Sequence, residues 1–147
     1  MDSGGMTMGC VSVLAVMAVG PALLAATAAA RAGDEEQMEL LLDAIAQVES
    51  RNNPTSVGDS GKAAGMYQIH RSYWVDATRI LGVTWDYREA QDPEKARRVV
   101  RAYLSYYGKG KTLLDMARIH NGGPKGDQKK ATLAYARRIE RVLNGDA

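Results

Sequence analysis

Cysteine and histidine are nearly absent from this chain of 147 residues. The single cysteine, Cys10, precedes a long apolar run, so the rest of the chain can use neither thiol chemistry nor disulfides. Zinc sites built on cysteine are excluded for the same reason. The two histidines, His70 and His120, are 50 residues apart and give little support to a zinc site. The sequence therefore implies no metal and no cofactor.

Charged residues are missing from residues 11–30, which are rich in Ala, Val and Leu. The run ends in small residues, so residues 28–30 or 30–32 can serve as an A-x-A cleavage motif of a secretory signal peptide. Twenty apolar residues are also enough to span a bilayer as an uncleaved anchor. We predict that residues 1–32 are a signal peptide or an N-terminal membrane anchor. Residues 33–147 are then an exported domain, either periplasmic or secreted.

The net charge of +2 conceals an uneven distribution. Residues 33–94 hold 5 Lys and Arg against 12 Asp and Glu, whereas residues 95–147 hold 13 against 4. A basic half of this kind can attract an anionic polymer such as a bacterial cell wall. The alternative is that the two halves attract each other across a cleft, with ordinary solvated helix faces elsewhere.

Hydrophobic periodicity predicts a mainly α domain of the α+β class, single and compact. An Asp followed by Pro at the first helical position marks one helix start at Asp92. The loop after residue 51 is rich in Gly, Asn, Ser and Asp, and it leaves room for at most a small β element near 57–70. Helices are predicted over residues 34–50, 71–81, 93–107, 112–120 and 127–143.

Two carboxyl groups form the candidate catalytic pair. Glu49 lies in the last turn of the first predicted helix, where the helix dipole disfavours negative charge and raises the pKa. A carboxylic acid that stays protonated, with a second carboxylate nearby, can cleave a glycosidic bond. Asp59, ten residues on, is the candidate for the second group. Spacing alone also fits a solvated helix-end acid and a turn-forming Asp.

Polar and aromatic residues follow in the segment from Gly65 to Tyr73. Gly65 allows the backbone to approach a ligand closely. Tyr67 and Gln68 offer hydrogen bonds to sugar hydroxyls, and His70 and Tyr73 are further candidates for substrate contact. For Tyr73, packing in the core is the favoured alternative.

A second polar pair precedes a glycine-rich helix end. Gly122 and Gly123 are an ordinary helix stop. That stop does not require a His and an Asn before it, so His120 and Asn121 are predicted to point into a substrate cleft.

Taken together, these segments resemble the invertebrate-type (destabilase) lysozymes over residues 41–137. The stretch from Arg118 to Pro124 is the most specific part. The other matching segments are Val48 to Ser50, Gly65 to His70, Tyr73-Trp74, Asp76-Ala77, Tyr103-Leu104 with Tyr107, Gly126, and Ala131 to Tyr135. The resemblance implies a lysozyme-like helical fold and a glycosidase that cleaves β-1,4 bonds in peptidoglycan.

Residue roles follow from the same resemblance. Glu49 corresponds to the family's general acid, and Asp59 corresponds to its second carboxylate. The family is rich in disulfides, whereas this chain has none, which fits a bacterial member that relies on packing. The implied partner is the peptidoglycan glycan strand, bound by a monomer. No nucleic-acid partner is expected, and membrane contact is expected only through an uncleaved leader.

Two other functions remain open at this stage. Lytic transglycosylases share a helix-end Glu-Ser, a Gly-x-x-Gln-Ile-like segment and an Asn-x-Gly-Pro end, and they use one glutamate. In that case Glu49 acts alone and Asp59 is a turn residue. The third hypothesis is a protein that keeps the cleft but has lost turnover, either a wall-binding module or a lysozyme inhibitor.

Overall fold

The protein is described by a computed structural model covering residues 21–146. Five α-helices and a three-stranded antiparallel sheet make up this part of the chain, which confirms the predicted mainly α class with a small β element. The helices are α1 Pro21–Ser50, α2 Arg71–Leu81, α3 Pro93–Tyr107, α4 Leu113–Gly122 and α5 Leu133–Leu143. The strands are β1 Val57–Gly58, β2 Ala63–Ala64 and β3 Ile69–His70.

Helix α1 ends at the predicted residue but begins earlier. It starts at Pro21 and continues through residue 34, where a helix start was predicted. No charged or breaking residue interrupts the alanine-rich stretch before residue 31, so the helix extends into the predicted leader. No helix within residues 21–146 is long and apolar enough to cross a membrane. Most of the predicted leader, residues 1–20, lies outside the described residues, and its boundary at residue 32 stays a prediction.

Helices α2 and α3 have the predicted bounds. The α3 start is fixed by Asp92, whose carboxylate accepts the backbone N–H groups of Glu94 and Lys95, both at 3.0 Å. Pro93 follows at the first helical position, where its missing N–H is not needed. The predicted connector over residues 82–91 contains a 3-10 helix, Tyr87–Gln91.

The last two helices differ from the prediction at their ends. Helix α4 extends to Gly122 instead of stopping at residue 120. Helix α5 begins at Leu133 rather than 127, because two 3-10 helices occupy residues 126–128 and 130–132. The Thr132 hydroxyl lies 2.7 and 2.8 Å from the carbonyl oxygens of Gly126 and Lys129. These local side-chain hydrogen bonds fold the segment into tight turns that hydrophobic periodicity does not reveal.

Helix α1 is the centre of the core and packs against α3, α4 and α5. Helix α2 packs on α3, and β3 leads directly into α2. The β1–β2 hairpin pairs Val57 with Ala64, and β2 pairs with β3 through Ala63 and His70. The largest fully buried side chains are Leu41, Leu42, Ile45, Tyr67, Ile69, Trp74, Val99, Val100, Leu104, Ile119, Thr132 and Ile139.

Charged side chains cross-link α1 to α3. The Arg97 guanidinium contacts Glu39, donates to Asp43 at 2.7 Å and donates to the Tyr67 hydroxyl at 3.2 Å. Arg101 contacts Glu39 and lies 2.7 Å from the Glu35 carboxylate. Two arginines of α3 therefore contact three carboxylates in the middle of α1. These ion pairs link the two helices in a domain without disulfides.

Candidate active site

Glu49 occupies the last turn of α1, one residue before the helix ends. The Ser50 hydroxyl donates to the Met66 carbonyl at 2.9 Å and holds this end against the turn between β2 and β3. The Glu49 side chain is only 19% exposed. Burial raises the pKa of its carboxyl group, and nearby Tyr135 and Arg138 offset part of that rise. The predicted direction is found, and desolvation is the main cause rather than the helix dipole.

Tyr135 of α5 is a close neighbour of Glu49. Its hydroxyl is buried and makes no well-formed hydrogen bond to any residue that the structure describes. Tyr135 and Glu49 are therefore close neighbours without a hydrogen bond between them. The Arg138 guanidinium lies over the Tyr135 ring, 5.3 Å from its centroid. Neither Tyr135 nor Arg138 is among the predicted site residues, since neither belongs to a polar motif.

His120 is a neutral, buried neighbour of Glu49. Its Nε2 lies 3.2 Å from the Tyr67 carbonyl oxygen, and its Nδ1 lies 3.2 Å from the Tyr73 hydroxyl. A carbonyl oxygen can only accept, so Nε2 carries the proton and Nδ1 accepts from Tyr73. Burial lowers the pKa of His120 to about 4. At neutral pH its 3.7 Å approach to Glu49 Oε1 is therefore not an ion pair.

Asp59 lies at the tip of the β1–β2 hairpin. It adopts a left-handed backbone conformation with φ of 48°, and Ser60 follows with φ of 54°. Asp tolerates this region better than most residues because its short side chain can bond locally. The Asp59 side chain is 58% exposed, and one of its carboxylate oxygens lies 3.5 Å from His70 Nε2.

Gln68 is fixed between the hairpin and the following turn. Its side-chain amide donates to the Gly65 carbonyl at 2.8 Å. A Cβ on Gly58 would lie 2.1 Å from Gln68 Oε1, so only glycine leaves room for this side chain. Gly65 has φ of +77°, and a Cβ there would lie 2.0 Å from the Ala90 carbonyl. The predicted approach of Gly65 to a ligand is therefore wrong, because its close neighbour is the backbone at Ala90.

These elements enclose a polar cleft of about 290 Å³. The end of α1, the hairpin, the start of α2 and the end of α4 each contribute to its walls. The cleft contains seven of the eight predicted site residues. Its lining residues are Glu49, Asp59, Ala63, Gln68, His70, Tyr73, His120 and Asn121.

Tyr67 is the predicted site residue that the structure places elsewhere. It is fully buried, and its hydroxyl accepts from the half-buried Arg97 guanidinium rather than lining the cleft. Its backbone carbonyl nevertheless anchors His120. Tyr67 therefore supports the site from behind, and the expected hydrogen bond from its hydroxyl to a sugar is not compatible with this position. Tyr73 combines both predicted roles, since it packs on Tyr103 with ring centroids 3.7 Å apart and also lines the cleft.

The cleft continues as grooves on two sides. One groove shares its lining with the cleft at His70, Tyr73, His120 and Asn121, and adds Ser72, Asp76, Tyr103, Gly123 and Pro124. The other groove runs along α5 and meets the cleft at Asn121. A long polymer can therefore lie across the site. Within the described part of the chain, no three His, Cys, Asp or Glu side chains are arranged to hold a metal ion.

A small sheet beside a helix that ends in a buried glutamate belongs to the class of lysozyme-like folds. Comparison with solved structures supports this class: the chain superimposes with a TM-score of 0.59 and 29% identity on a chain of the crystal structure of Aeromonas hydrophila PliI in complex with Meretrix lusoria lysozyme. The match covers 70% of this chain and 88% of that one. The family model described as Destabilase matches residues 38–142, so the chain belongs to the destabilase family.

Individual relatives agree with the family. The chain is 46% identical over 77 residues to "Lysozyme" of Ostrea edulis, which covers 50% of this chain and 55% of the relative. It is 33% identical over 107 residues to "Lysozyme" of Meretrix lusoria, covering 69% and 86% of the two chains. The chain thus spans little more than half of the first of these relatives and most of the second.

Proposed function

We propose that this protein is a peptidoglycan glycoside hydrolase that cleaves the β-1,4 bond between N-acetylmuramic acid and N-acetylglucosamine. The observation that carries the proposal is the buried Glu49 carboxyl group in a polar cleft that also contains Asp59. Membership in the destabilase family and the similarity to proteins named lysozyme support the same activity. Because the substrate is a wall polymer, we also propose that the protein is exported.

Glu49 acts as the general acid. A raised pKa keeps its carboxyl group protonated at a higher pH than an exposed glutamate would allow. The proton passes from this carboxyl to the glycosidic oxygen as the bond to the anomeric carbon breaks. Neutral His120 assists this step by adding no positive charge beside Glu49, since a cation there would lower its pKa.

Asp59 supplies the second carboxylate. Its side chain lies at the hairpin tip, is 58% exposed and lines the cleft that contains Glu49. The carboxylate stabilises or attacks the anomeric carbon, where positive charge develops in the transition state. Gln68, His70 and Asn121 line the cleft with groups that hydrogen-bond sugar hydroxyls and N-acetyl groups.

One observation favours a second candidate, the lytic transglycosylase. Asp59 lies in a tight turn, is 58% exposed and faces His70, as expected for a turn residue without a catalytic role. In that mechanism Glu49 alone serves first as acid and then as base, and the product carries an anhydro-muramyl end. The role of Asp59 therefore separates the two candidates.

Product analysis tests the proposal. Purified peptidoglycan digested with the protein should give fragments with a reducing muramic acid end by mass spectrometry. Anhydro-muramyl ends would instead establish the transglycosylase.

The Asp59→Asn variant gives an independent test. We expect its turnover to fall by about 10²-fold or more if the carboxylate stabilises the transition state. Asp86→Asn is a matched control, because Asp86 is an exposed carboxylate remote from the cleft lining. Nearly full activity in Asp59→Asn would refute the two-carboxylate mechanism.

A further inference from the structure

The groove along α5 carries three arginines that no carboxylate neutralises. Arg137, Arg138 and Arg141 line it together, and all three are exposed. Among the ion pairs of the described residues, none involves these three side chains, although Arg138 lies over the Tyr135 ring. Glu140 also lines the groove, but none of the arginine nitrogens is within ion-pair distance of it. The groove therefore has an excess of positive charge available to a ligand.

The position of this groove ties its ligand to the catalytic cleft. Asn121 lines both the cleft and the α5 groove, so the two are continuous. Arg138 lies over the ring of Tyr135, which is a close neighbour of Glu49, so this end of the arginine row lies near the catalytic acid. A group bound here is thus within reach of a sugar held in the cleft.

The lining indicates the chemistry of that group. A guanidinium presents a planar fork of N–H donors that matches a carboxylate. Between the arginines, Ala131, Ala134 and the Tyr135 ring form an apolar floor. A ligand that alternates carboxylates with small apolar side chains fits this surface. The groove has a volume of about 680 Å³, which is enough for several amino acid residues.

We propose that the α5 groove binds the carboxylates of the stem peptide carried by the muramic acid in the cleft. This inference rests on the proposed function, because it names the part of peptidoglycan that lies outside the glycan subsites. Stem peptides are short, contain alanine and bear free carboxylates, and they are attached to the sugar next to the scissile bond. A separate anionic wall polymer would not need a groove continuous with the cleft.

Binding to insoluble peptidoglycan, freed of other anionic polymers, tests the inference without relying on turnover. Glu49→Gln serves as the background, so that the substrate remains intact. In this background, Arg137→Gln/Arg141→Gln should bind native peptidoglycan roughly five-fold more weakly at low ionic strength. The difference should vanish on peptidoglycan whose carboxyl groups have been amidated, and it should shrink at high salt.

Arg88→Gln/Lys109→Gln is the matched control, since it removes two exposed positive charges that line none of the three grooves. Its affinity should equal that of the background on both substrates. Equal binding by the Arg137/Arg141 variant on native peptidoglycan would overturn the inference. An equal loss on native and amidated peptidoglycan would also overturn it, because the arginines would then contact the glycan.

The two proposals fail in different ways. Absence of glycan cleavage by the wild-type protein refutes the proposed function. The contribution of the groove arginines to binding is measured separately. That contribution can be absent although the wild-type protein still cleaves the glycan. A loss seen only on walls that still carry phosphate-rich polymers would overturn the stem-peptide assignment in favour of a phosphate ligand.

Discussion

Carboxyl groups in the middle of α1 and at its end lie in different environments. In the middle of the helix, Glu35, Glu39 and Asp43 face Arg97 and Arg101 of α3. At its end, Glu49 is buried beside a neutral histidine and a tyrosine, with no ion pair to an arginine or lysine among the described residues. The first group links two helices, whereas the last turn carries a desolvated acid. One helix thus supplies both a structural link and a reactive group.

The comparison shows that, in this cysteine-free domain, different carboxyl groups of one helix serve stability and catalysis. Ion pairs link α1 to α3, where the surface allows partial hydration. Glu49 instead owes its raised pKa to desolvation, which outweighs the opposing influences of Tyr135 and Arg138. The same principle predicts which substitutions change activity and which change stability.

Removing the acid at the end of α1 should have the largest effect. Glu49→Gln keeps the shape of the side chain but cannot donate a proton, so we expect turnover to fall by about 10²- to 10⁴-fold. The rate of release of soluble fragments from peptidoglycan measures this. Glu39→Gln, on the same helix, should keep turnover near the wild-type level. If the wild-type protein binds peptidoglycan but shows no turnover, the wall-binding hypothesis is favoured instead.

The protonation state of His120 determines whether the histidine beside Glu49 carries a positive charge. Its folded pKa of about 4 is below the ordinary 6.5, so its contribution to stability is complete above pH 6.5 and is lost as pH falls towards 4. The shift corresponds to a loss on the order of 3 kcal/mol in the free energy of unfolding.

The raised pKa of Glu49 has the opposite effect, because its contribution to the free energy of unfolding is lost as pH rises. The test therefore uses a Glu49→Gln background, in which this contribution is absent. In that background, the free energy of unfolding measured with denaturant should fall as pH is lowered from 6.5 to 4. Adding His120→Gln should remove this part of the pH dependence. An unchanged pH dependence would mean that His120 is not buried in its neutral form.

Breaking the arginine link should affect stability but not chemistry. Arg97→Met keeps much of the aliphatic packing and leaves Glu39 and Asp43 without this partner. The Arg97 side chain is 30% exposed, so solvent screening limits the expected loss to about 1–2 kcal/mol in the free energy of unfolding.

Arg88→Met is the control for that change, because the Arg88–Asp86 pair is highly exposed and should contribute much less to stability. Turnover per folded molecule should be unchanged in both variants. A large loss of turnover in Arg97→Met would show that the link also positions the cleft, by way of Tyr67 and His120.

Much of the fold could be predicted from local signals. The Asp92-Pro93 start of α3 and the glycine stop of α4 are encoded within a few residues, and α2 has its predicted bounds. The start of α5 could not be found in this way, because Thr132 fixes the preceding turns through hydrogen bonds to Gly126 and Lys129.

The candidate site shows the same division. Polar residues that a helix stop or turn does not require, such as His120 and Asn121, do line the cleft. Tyr67 does not, since a tyrosine beside a polar segment has the same sequence signal whether it faces sugar or core. Arg138 was missed because its closeness to Glu49 depends on the packing of α5 against α1, which no local pattern specifies.

The titration of Glu49 tests the central claim most directly. The side-chain carboxyl carbon can be followed by NMR as pH is varied, and its resonance is identified by its absence from Glu49→Gln. We predict a midpoint above the ordinary value of 4.5, because burial disfavours the ionised form. A midpoint at or below 4.5 would contradict the account, since burial would then not disfavour the ionised form of Glu49.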